Sequence, residues 1–246
     1  MAGRLLEICI DSVASALAAQ AGGADRVELC DNLVEGGTTP SYGMIKAVRS
    51  QISIGLMVMI RPRGGDFLYS PEEFQIMKSD IEMTKDLGAD GVVFGLLNPD
   101  GTIDKTRTQE LIELSRPMQV TFHRAFDMVK DGQQALEDLI EIGCDRVLTS
   151  GLHPDVISGQ EIIKQMMQQA DGRIAILCGG GVRLDNIQSF VQYTNAPEIH
   201  GSGRKIVHSQ MTFQNDHIAM GAIPNSEYIT KVADEETVRK FRELID

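Results

Sequence analysis

Sulfur and carboxyl groups alternate with aliphatic side chains in two short segments near the N-terminus. In LEICID, Glu7, Cys9 and Asp11 share one face if the segment is a strand, and in RVELC the same holds for Glu28 and Cys30. Paired carboxylates raise one another's pKa and supply an acid or a base near neutral pH, or they bind a cation. Paired thiols bind a soft metal such as Cu(I).

The residues between these polar positions in the first segment are all apolar, so they suit a face packed against helices. The polar set is therefore predicted to point the other way, which brings Glu7 near Glu28 and Cys9 near Cys30. An alternative is that the cysteines are small buried core residues and that the glutamates simply find hydrogen bonds.

Two further segments carry basic and titratable groups. RPRGGD places Arg61 and Arg63 on a stiff turn, where guanidinium groups suit a carboxylate or phosphate ligand. Salt bridges from these arginines to neighbouring acidic residues are the alternative. FHRAFD contains His123, Arg124 and Asp127, and His123 is a candidate general acid or base because an unperturbed imidazole titrates at about pH 6.5.

Glycine-rich turns near the C-terminus are candidates for anion binding. CGGGVR contains Gly180 and Gly181, and HGSGRK contains Gly201 and Ser202, while TSG contributes the hydroxyl of Ser150. Glycines let backbone amides converge on a ligand, and such loops commonly hold phosphate in barrels. Tight turns without a ligand would have the same composition.

The elements that must position these groups are short apolar runs alternating with longer stretches of helical period, a pattern typical of parallel strands joined by helices. Ser70, followed by Pro71 and Glu73, predicts a helix start. The predicted strands are Leu5–Asp11, Arg26–Cys30, Ile54–Ile60, Gly91–Gly95, Gln119–His123, Arg146–Thr149, Ile174–Cys178 and Glu198–Gly201.

A repeated phrase gives the organisation: GGADRVELC at 22–30, LGADGVVFG at 87–95 and IGCDRVLTS at 142–150. Each phrase has a glycine where a helix should end, then an aspartate, then a strand, and the phrases precede alternate strands. This predicts one domain over 1–246, an α/β fold that is a (β/α)₈ TIM barrel. In that fold the lower interior is filled by branched apolar side chains, and functional residues lie at the carboxyl ends of the strands.

One stretch, 202–233, shows no helical pattern before the last helix. Connections in such folds usually have about 2 to 6 residues. We expect this irregular segment to fold over the barrel mouth as a lid or to pack against a second subunit; a mobile insertion is the alternative.

The net charge restricts the partners, and the distribution of apolar residues restricts the compartment. A net charge of −12 argues against nucleic acid and against anionic membranes. No apolar stretch is long enough for a membrane span or a signal peptide, so we expect a cytoplasmic protein with reduced cysteines.

Taken together, the chain resembles the CutC family of copper homeostasis proteins. The resemblance rests on LEICIDS, GGADRVELC, EGGTTPS, RPRGGDF, VTFHRAFD, RVLTSG and GGGVR, and it covers nearly the whole length. It implies a cytoplasmic (β/α)₈ barrel that forms a homo-oligomer, a dimer or a tetramer, and that handles copper by binding Cu(I). Cys9 and Cys30 fall within the matching motifs and would be the metal ligands.

A second function remains open, because arginines, carboxylates and a histidine at strand ends are also the equipment of an enzyme. An isomerase or lyase acting on a small phosphorylated or carboxylated metabolite would use four catalytic candidates: Glu7, Glu28, His123 and Asp127. Its binding candidates are Arg61, Arg63, Arg124, Ser150, Gly180, Gly181, Gly201 and Ser202. A purely structural oligomerisation module would leave the polar strand ends unexplained.

Overall fold

Eight parallel strands close into a barrel in chain order, and the last strand pairs with the first. The computed structural model describes residues 3–215, 217, 218, 220 and 226–246. The strands are β1 (Leu5–Ile10), β2 (Arg26–Leu29), β3 (Gly55–Met59), β4 (Gly91–Phe94), β5 (Gln119–Phe122), β6 (Arg146–Thr149), β7 (Ala175–Gly179) and β8 (Glu198–Gly201). The predicted TIM barrel is therefore confirmed.

Helices connect successive strands and surround the barrel. They are α1 (Val13–Ala21), α2 (Tyr42–Arg49), α3 (Pro71–Asp86), α4 (Lys105–Ser115), α5 (Gly132–Glu141), α6 (Gln160–Ala170), α7 (Ile187–Thr194) and α8 (Glu235–Ile245). Ser70 and Glu73 form the predicted capping box at the start of α3. Among the described residues, no helix is long and apolar enough to cross a membrane.

The internal repeat has a structural cause. Its glycines, Gly23, Gly88 and Gly143, follow helices with φ between +76° and +90°, a conformation that disfavours side chains. The aspartate two residues later ties neighbouring strands together: Asp25 accepts a hydrogen bond of 2.7 Å from the amide of Leu6. The aspartates of the other two repeats accept equivalent bonds of 2.8 Å from residues of β3 and β5. The phrase recurs because each copy connects one strand to its predecessor.

Two different environments lie on the two faces of β1. Leu6, Ile8 and Ile10 are fully buried in the apolar core between barrel and helices. The other face points into the barrel, as the alternation predicted. The lower interior differs from the expected branched apolar packing, because Arg26 and Arg146 are buried there. Both donate to the carboxylate of Glu198 at 2.6 Å, so an ion cluster fills this layer.

The irregular segment predicted for 202–233 contains regular structure at both ends. β9 (Arg204–His208) and β10 (Ile229–Ala233) pair as an antiparallel ribbon, and β10 packs against α1, where the amide of Ala233 donates to Ser15. The interpretation of 202–233 as a long irregular segment is therefore corrected at these two ends. Residues 216, 219 and 221–225 of this segment lie outside the described residues, and contact with a second subunit stays a prediction.

Candidate metal and ligand site

A cavity of about 270 Å³ opens at the carboxyl ends of the strands. The ends of β1, β2, β3 and β8 and the loops that follow β2, β3 and β5 supply most of its lining. Its lining residues are Cys9, Glu28, Cys30, Leu33, Glu35, Gly36, Met59, Arg61, Phe67, His123, Arg124, Leu148 and His200. Thiols, carboxylates, imidazoles and guanidinium groups from distant parts of the chain therefore share one small space.

The two thiols meet in this cavity. Cys9 and Cys30 are free cysteines, 7% and 1% exposed. Their sulfur atoms and a carboxylate oxygen of Glu28 all lie within 4.8 Å of one another. The predicted proximity of the cysteines is confirmed, and it follows from the pairing of Cys9 with Glu28 in the β1–β2 register.

A chain of hydrogen-bonding groups runs beside the thiols. His200 Nδ1 lies 2.7 Å from Glu7 Oε1, and His200 Nε2 lies 3.8 Å from Glu28 Oε2. Donor atoms of Glu7, Glu28 and His200 lie within 4.8 Å of one another, which confirms the predicted proximity of the glutamates. The imidazole that links them was absent from the predicted set.

The pKa values of the two carboxyl groups are shifted in opposite directions. Burial would raise the pKa of Glu7, but Arg26 and His200 outweigh it and hold that pKa at about 2. Burial raises the pKa of Glu28 to about 8, against the attraction of His200. Glu7 is therefore an anion and Glu28 is largely protonated at neutral pH, the separation of roles that the sequence suggested for paired carboxylates.

The pKa values of the two thiols are likewise shifted in opposite directions. The hydrogen bond from Cys30 lowers the pKa of Cys9 well below its usual range against burial, with His200 and Arg204 adding to the effect. An Nη atom of Arg204 lies 3.7 Å from Cys9 Sγ. The same hydrogen bond and burial raise the pKa of Cys30. Burial would lower the pKa of His200, but Cys9 and the two glutamates hold it well above its usual range. The two pKa shifts both favour the charged forms, a thiolate at Cys9 and an imidazolium at His200.

His123 behaves differently from expectation. Burial and the charge of Arg61 lower its pKa to about 3, so the ring is neutral at physiological pH rather than titrating near it. Its Nδ1 accepts a hydrogen bond of 3.2 Å from the amide of Ala125, which leaves the proton on Nε2. This Nε2 atom is buried and has no hydrogen-bond partner in the part of the chain that the structure describes. His123 therefore offers a donor to the cavity.

The two arginines of RPRGGD have separate positions. Arg61 lines the cavity, but its terminal nitrogens donate to the carbonyls of Glu35, Gly37 and Gly65 at 2.7 to 2.9 Å. Arg63 lies outside the cavity-lining set and pairs with Glu73 at 2.6 Å and with Asp66. Backbone carbonyls therefore occupy both terminal nitrogens of Arg61, although its Nε has no hydrogen-bond partner among the described residues, and the salt-bridge alternative describes Arg63.

Asp127 and its neighbours hold loops together. Asp127 accepts hydrogen bonds from the hydroxyls of Thr149 and Ser150 and from the amide of Leu152. Arg124 lines the cavity and donates to both Asp127 and Ser150 at 2.7 Å. Asp127 and Ser150 do not line this cavity, although Asp127 lines a neighbouring groove together with Arg124, and their contact with a substrate stays a prediction.

The glycine turns also lie beyond the cavity lining. Gly180, with φ +106°, packs close to Ser150: a Cβ there would lie 3.1 Å from Ser150 Cβ. Gly181 has φ +71°, a backbone conformation that side chains disfavour, and Gly201 lies close to Phe241 of α8. Both positions therefore have a steric reason to be glycine. Ser202 lines a separate groove after β7 and β8. These four residues are therefore not part of the cavity that contains the thiols, and their contact with an anion stays a prediction.

Comparison with known proteins decides the family. The model of the CutC family matches residues 4–205. Copper homeostasis protein cutC homologs from Mus musculus and Homo sapiens are 51% and 50% identical over 243 residues, covering 98% of this chain and 89% of each relative. The chain belongs to the CutC family. A CutC family protein from Chromobacterium violaceum is 47% identical, covering 99% of this chain and 98% of that relative.

Solved structures agree with the CutC assignment. A CutC protein from Streptococcus agalactiae superposes with a TM-score of 0.77 at 35% identity, covering 81% of this chain and 98% of that one. Phosphoribosyl anthranilate isomerase from Thermococcus kodakaraensis superposes over 98% of both chains with a TM-score of 0.62 at 13% identity, and this likeness concerns the fold alone.

Proposed function

We propose that this CutC-family protein takes part in copper homeostasis by binding Cu(I) through Cys9 and Cys30. The observation that carries the proposal is the convergence of two free, buried thiols at the functional end of the barrel. Reduced thiols are the normal state of cysteine in the cytoplasm, which is the compartment that we propose.

The chemistry of the cavity favours a soft monovalent cation. Thiolates bind Cu(I), zinc and iron–sulfur clusters in preference to hard cations, and a pair of thiols falls short of the four ligands that zinc usually takes. The neighbours of Cys9 lower its pKa and so favour the thiolate that binds a metal, whereas the pKa of Cys30 is raised and its proton must be displaced when the metal binds. The nearby Arg204 would offset the negative charge of a bis-thiolate complex. The other donor within 4.8 Å, Glu28, is a hard oxygen ligand that Cu(I) disfavours.

The proposal is tested by titrating the reduced protein with Cu(I) against a competing chelator. We expect stoichiometric binding by the wild type and its loss in the Cys9→Ser, Cys30→Ser double variant. Cys144→Ser is the matched control, because Cys144 is equally buried but lies outside the cavity lining. Equal affinity in the wild type and the double variant would disprove the proposal.

A second function, catalysis on a small carboxylated or phosphorylated metabolite, is favoured by a separate observation. Glu28 Oε1 and His123 Nε2 are buried atoms without hydrogen-bond partners among the described residues, and both residues line the same cavity. Such atoms cost free energy unless a ligand or water pairs with them. A metabolite that accepts from His123 and contacts Glu28 would satisfy both.

The second function is tested by ligand-observed proton NMR with pyruvate, lactate and phosphoglycolate as probes, each of which carries carbon-bound protons. We expect saturation transfer to at least one probe in the wild type and its loss in His123→Phe. His153→Phe serves as a control, since His153 is exposed and is not among the residues that line the cavity. Absence of transfer to every probe, or transfer unaffected by His123→Phe, would count against the assignment.

A further inference from the structure

We infer that the thioether sulfur of Met59 is a third Cu(I) ligand, an inference that rests on the proposed metal function. Met59 is 4% exposed and lines the same cavity as Cys9 and Cys30. These three residues, together with Met57 and Val93, form a small buried cluster of their own, separate from the main core between barrel and helices. The interior of the barrel at this level is therefore rich in sulfur.

The turn after β2 fixes the relation between Cys30 and Met59. A Cβ placed on Gly37 would lie 3.3 Å from Cys30 Sγ and 3.5 Å from Met59 Cε, so both side chains pack against the same glycine. Gly37 has φ +96° and its carbonyl accepts from Arg61 at 2.9 Å, which holds the turn in place. Bulk at this position would push the thiol and the thioether apart.

A thioether completes the donor set without changing its charge. Cu(I) accepts thioether as well as thiolate sulfur, and methionine needs no deprotonation to bind. Its flexible side chain adjusts to a metal without backbone movement. Two thiolates and one thioether would give a complex with a single negative charge, next to the Arg204 guanidinium. The apolar walls of the cluster, including Leu33 and Val93, would keep water from the ion.

Met59→Leu tests the inference, because leucine keeps the volume and removes the sulfur. Met57→Leu is the matched control: Met57 lies two residues earlier on the same face and is 1% exposed, but it is absent from the cavity lining. Its sulfur packs beside Gly91, where a Cβ would lie 2.5 Å from it. The two variants thus remove chemically identical groups from adjacent layers of the barrel.

Two readouts are needed, Cu(I) affinity by chelator competition and the number of sulfur ligands by X-ray absorption. We expect Met59→Leu to weaken binding by at least about tenfold and to reduce the sulfur coordination from three to two, with no change in Met57→Leu. An unchanged sulfur count in Met59→Leu overturns the inference, whatever the affinity. Equal weakening by both variants also overturns it, because packing would then be the cause.

Failure of this inference is distinguishable from failure of the proposed function. If Met59→Leu binds as the wild type does while the double cysteine variant does not bind, the thiols are ligands and the thioether is not. If the double cysteine variant keeps its affinity, the copper proposal itself fails and the third ligand fails with it.

Discussion

His200 Nδ1 lies 2.7 Å from Oε1 of Glu7, and this contact joins the last strand of the barrel to the first. Glu7, held as an anion by Arg26, is one of the groups that raise the pKa of this imidazole, after the hydrogen bond to Cys9 and the charge of Glu28. His200 therefore links the Cys9 thiol at the mouth to the ion cluster deeper in the barrel.

Replacing His200 with glutamine tests this link. The Cys9 thiol would lose a hydrogen-bonding and charged neighbour, although the Cys30 hydrogen bond that contributes most would remain. We expect the titration of the Cys9 thiolate in the metal-free protein to move to higher pH, measured by its ultraviolet absorbance. His123→Gln, which alters an imidazole that is already neutral, should leave the midpoint in place. An unshifted midpoint in His200→Gln would show that Cys30 alone sets the thiolate.

The sequence predicted contacts between neighbouring strands, but it did not predict the contact that barrel closure creates between the first and last strands. The alternation in LEICID and RVELC was enough to place Cys9 beside Cys30, because neighbouring strands and a period of two determine which side chains face inward. His200 was missed although Glu198 and His200 alternate with Ile199 in the same way. Its partner Glu7 lies at the other end of the chain, and only barrel closure brings β8 to β1.

The arginines were harder to predict for a different reason. Arg61 was expected to bind an anion, yet backbone carbonyls of the loops after β2 and β3 occupy its terminal nitrogens. Carbonyl positions depend on loop conformation, which composition does not encode. The same holds for Asp127, whose carboxylate is saturated by the loop after β6. Residue type therefore identified polar strand ends, but not which of them are free for a ligand.

Stability of the metal-free protein should decrease as pH rises because of Glu28. Its folded pKa of about 8 exceeds the ordinary value of 4.5, so between these values the folded state holds a proton that the unfolded state has lost. The favourable contribution is complete below about pH 4.5 and is lost as pH rises towards about 8, with a limiting slope of about 1.4 kcal/mol per pH unit.

Glu28→Gln removes this proton from both states. Urea unfolding of the wild type and the variant between about pH 5 and pH 8 should show the wild type losing stability relative to Glu28→Gln. A constant difference between the two proteins across this range would mean that Glu28 ionises in the folded state as readily as in the unfolded state.

Glu198 should be among the most sensitive charged residues of the barrel. It receives hydrogen bonds of 2.6 Å from both Arg26 and Arg146, two guanidinium groups buried in the lower interior. Glu198→Gln would remove the acidic partner of Arg146 and leave Arg26 paired with Glu7, and breaking a buried ion pair costs about 3 to 5 kcal/mol. Urea denaturation measures the loss. Glu137→Gln is the comparison, since Glu137 pairs with Arg173 on the exposed surface and should matter little; equal effects would contradict the assigned role.

Gly95 should be required for the position of His123. A Cβ at Gly95 would lie 2.6 Å from His123 Nδ1 and 3.0 Å from the Cβ of Ala125, closer than real Cβ contacts allow. In Gly95→Ala the imidazole must therefore move and lose the bond from the Ala125 amide. We expect a shifted His123 ring resonance in NMR spectra and a lower melting temperature.

Gly43→Ala is the control for this substitution, because Gly43 lies in α2 with open space around it and alanine favours helix. It should leave the His123 resonance unchanged and should raise stability by about 0.5 to 1 kcal/mol.

The nearest atoms around Gly95 belong to His123 and Ala125, and not to either cysteine. We therefore expect Gly95→Ala to keep the Cu(I) affinity while losing any metabolite binding. Parallel loss of both would mean that the imidazole and the thiols form a single site.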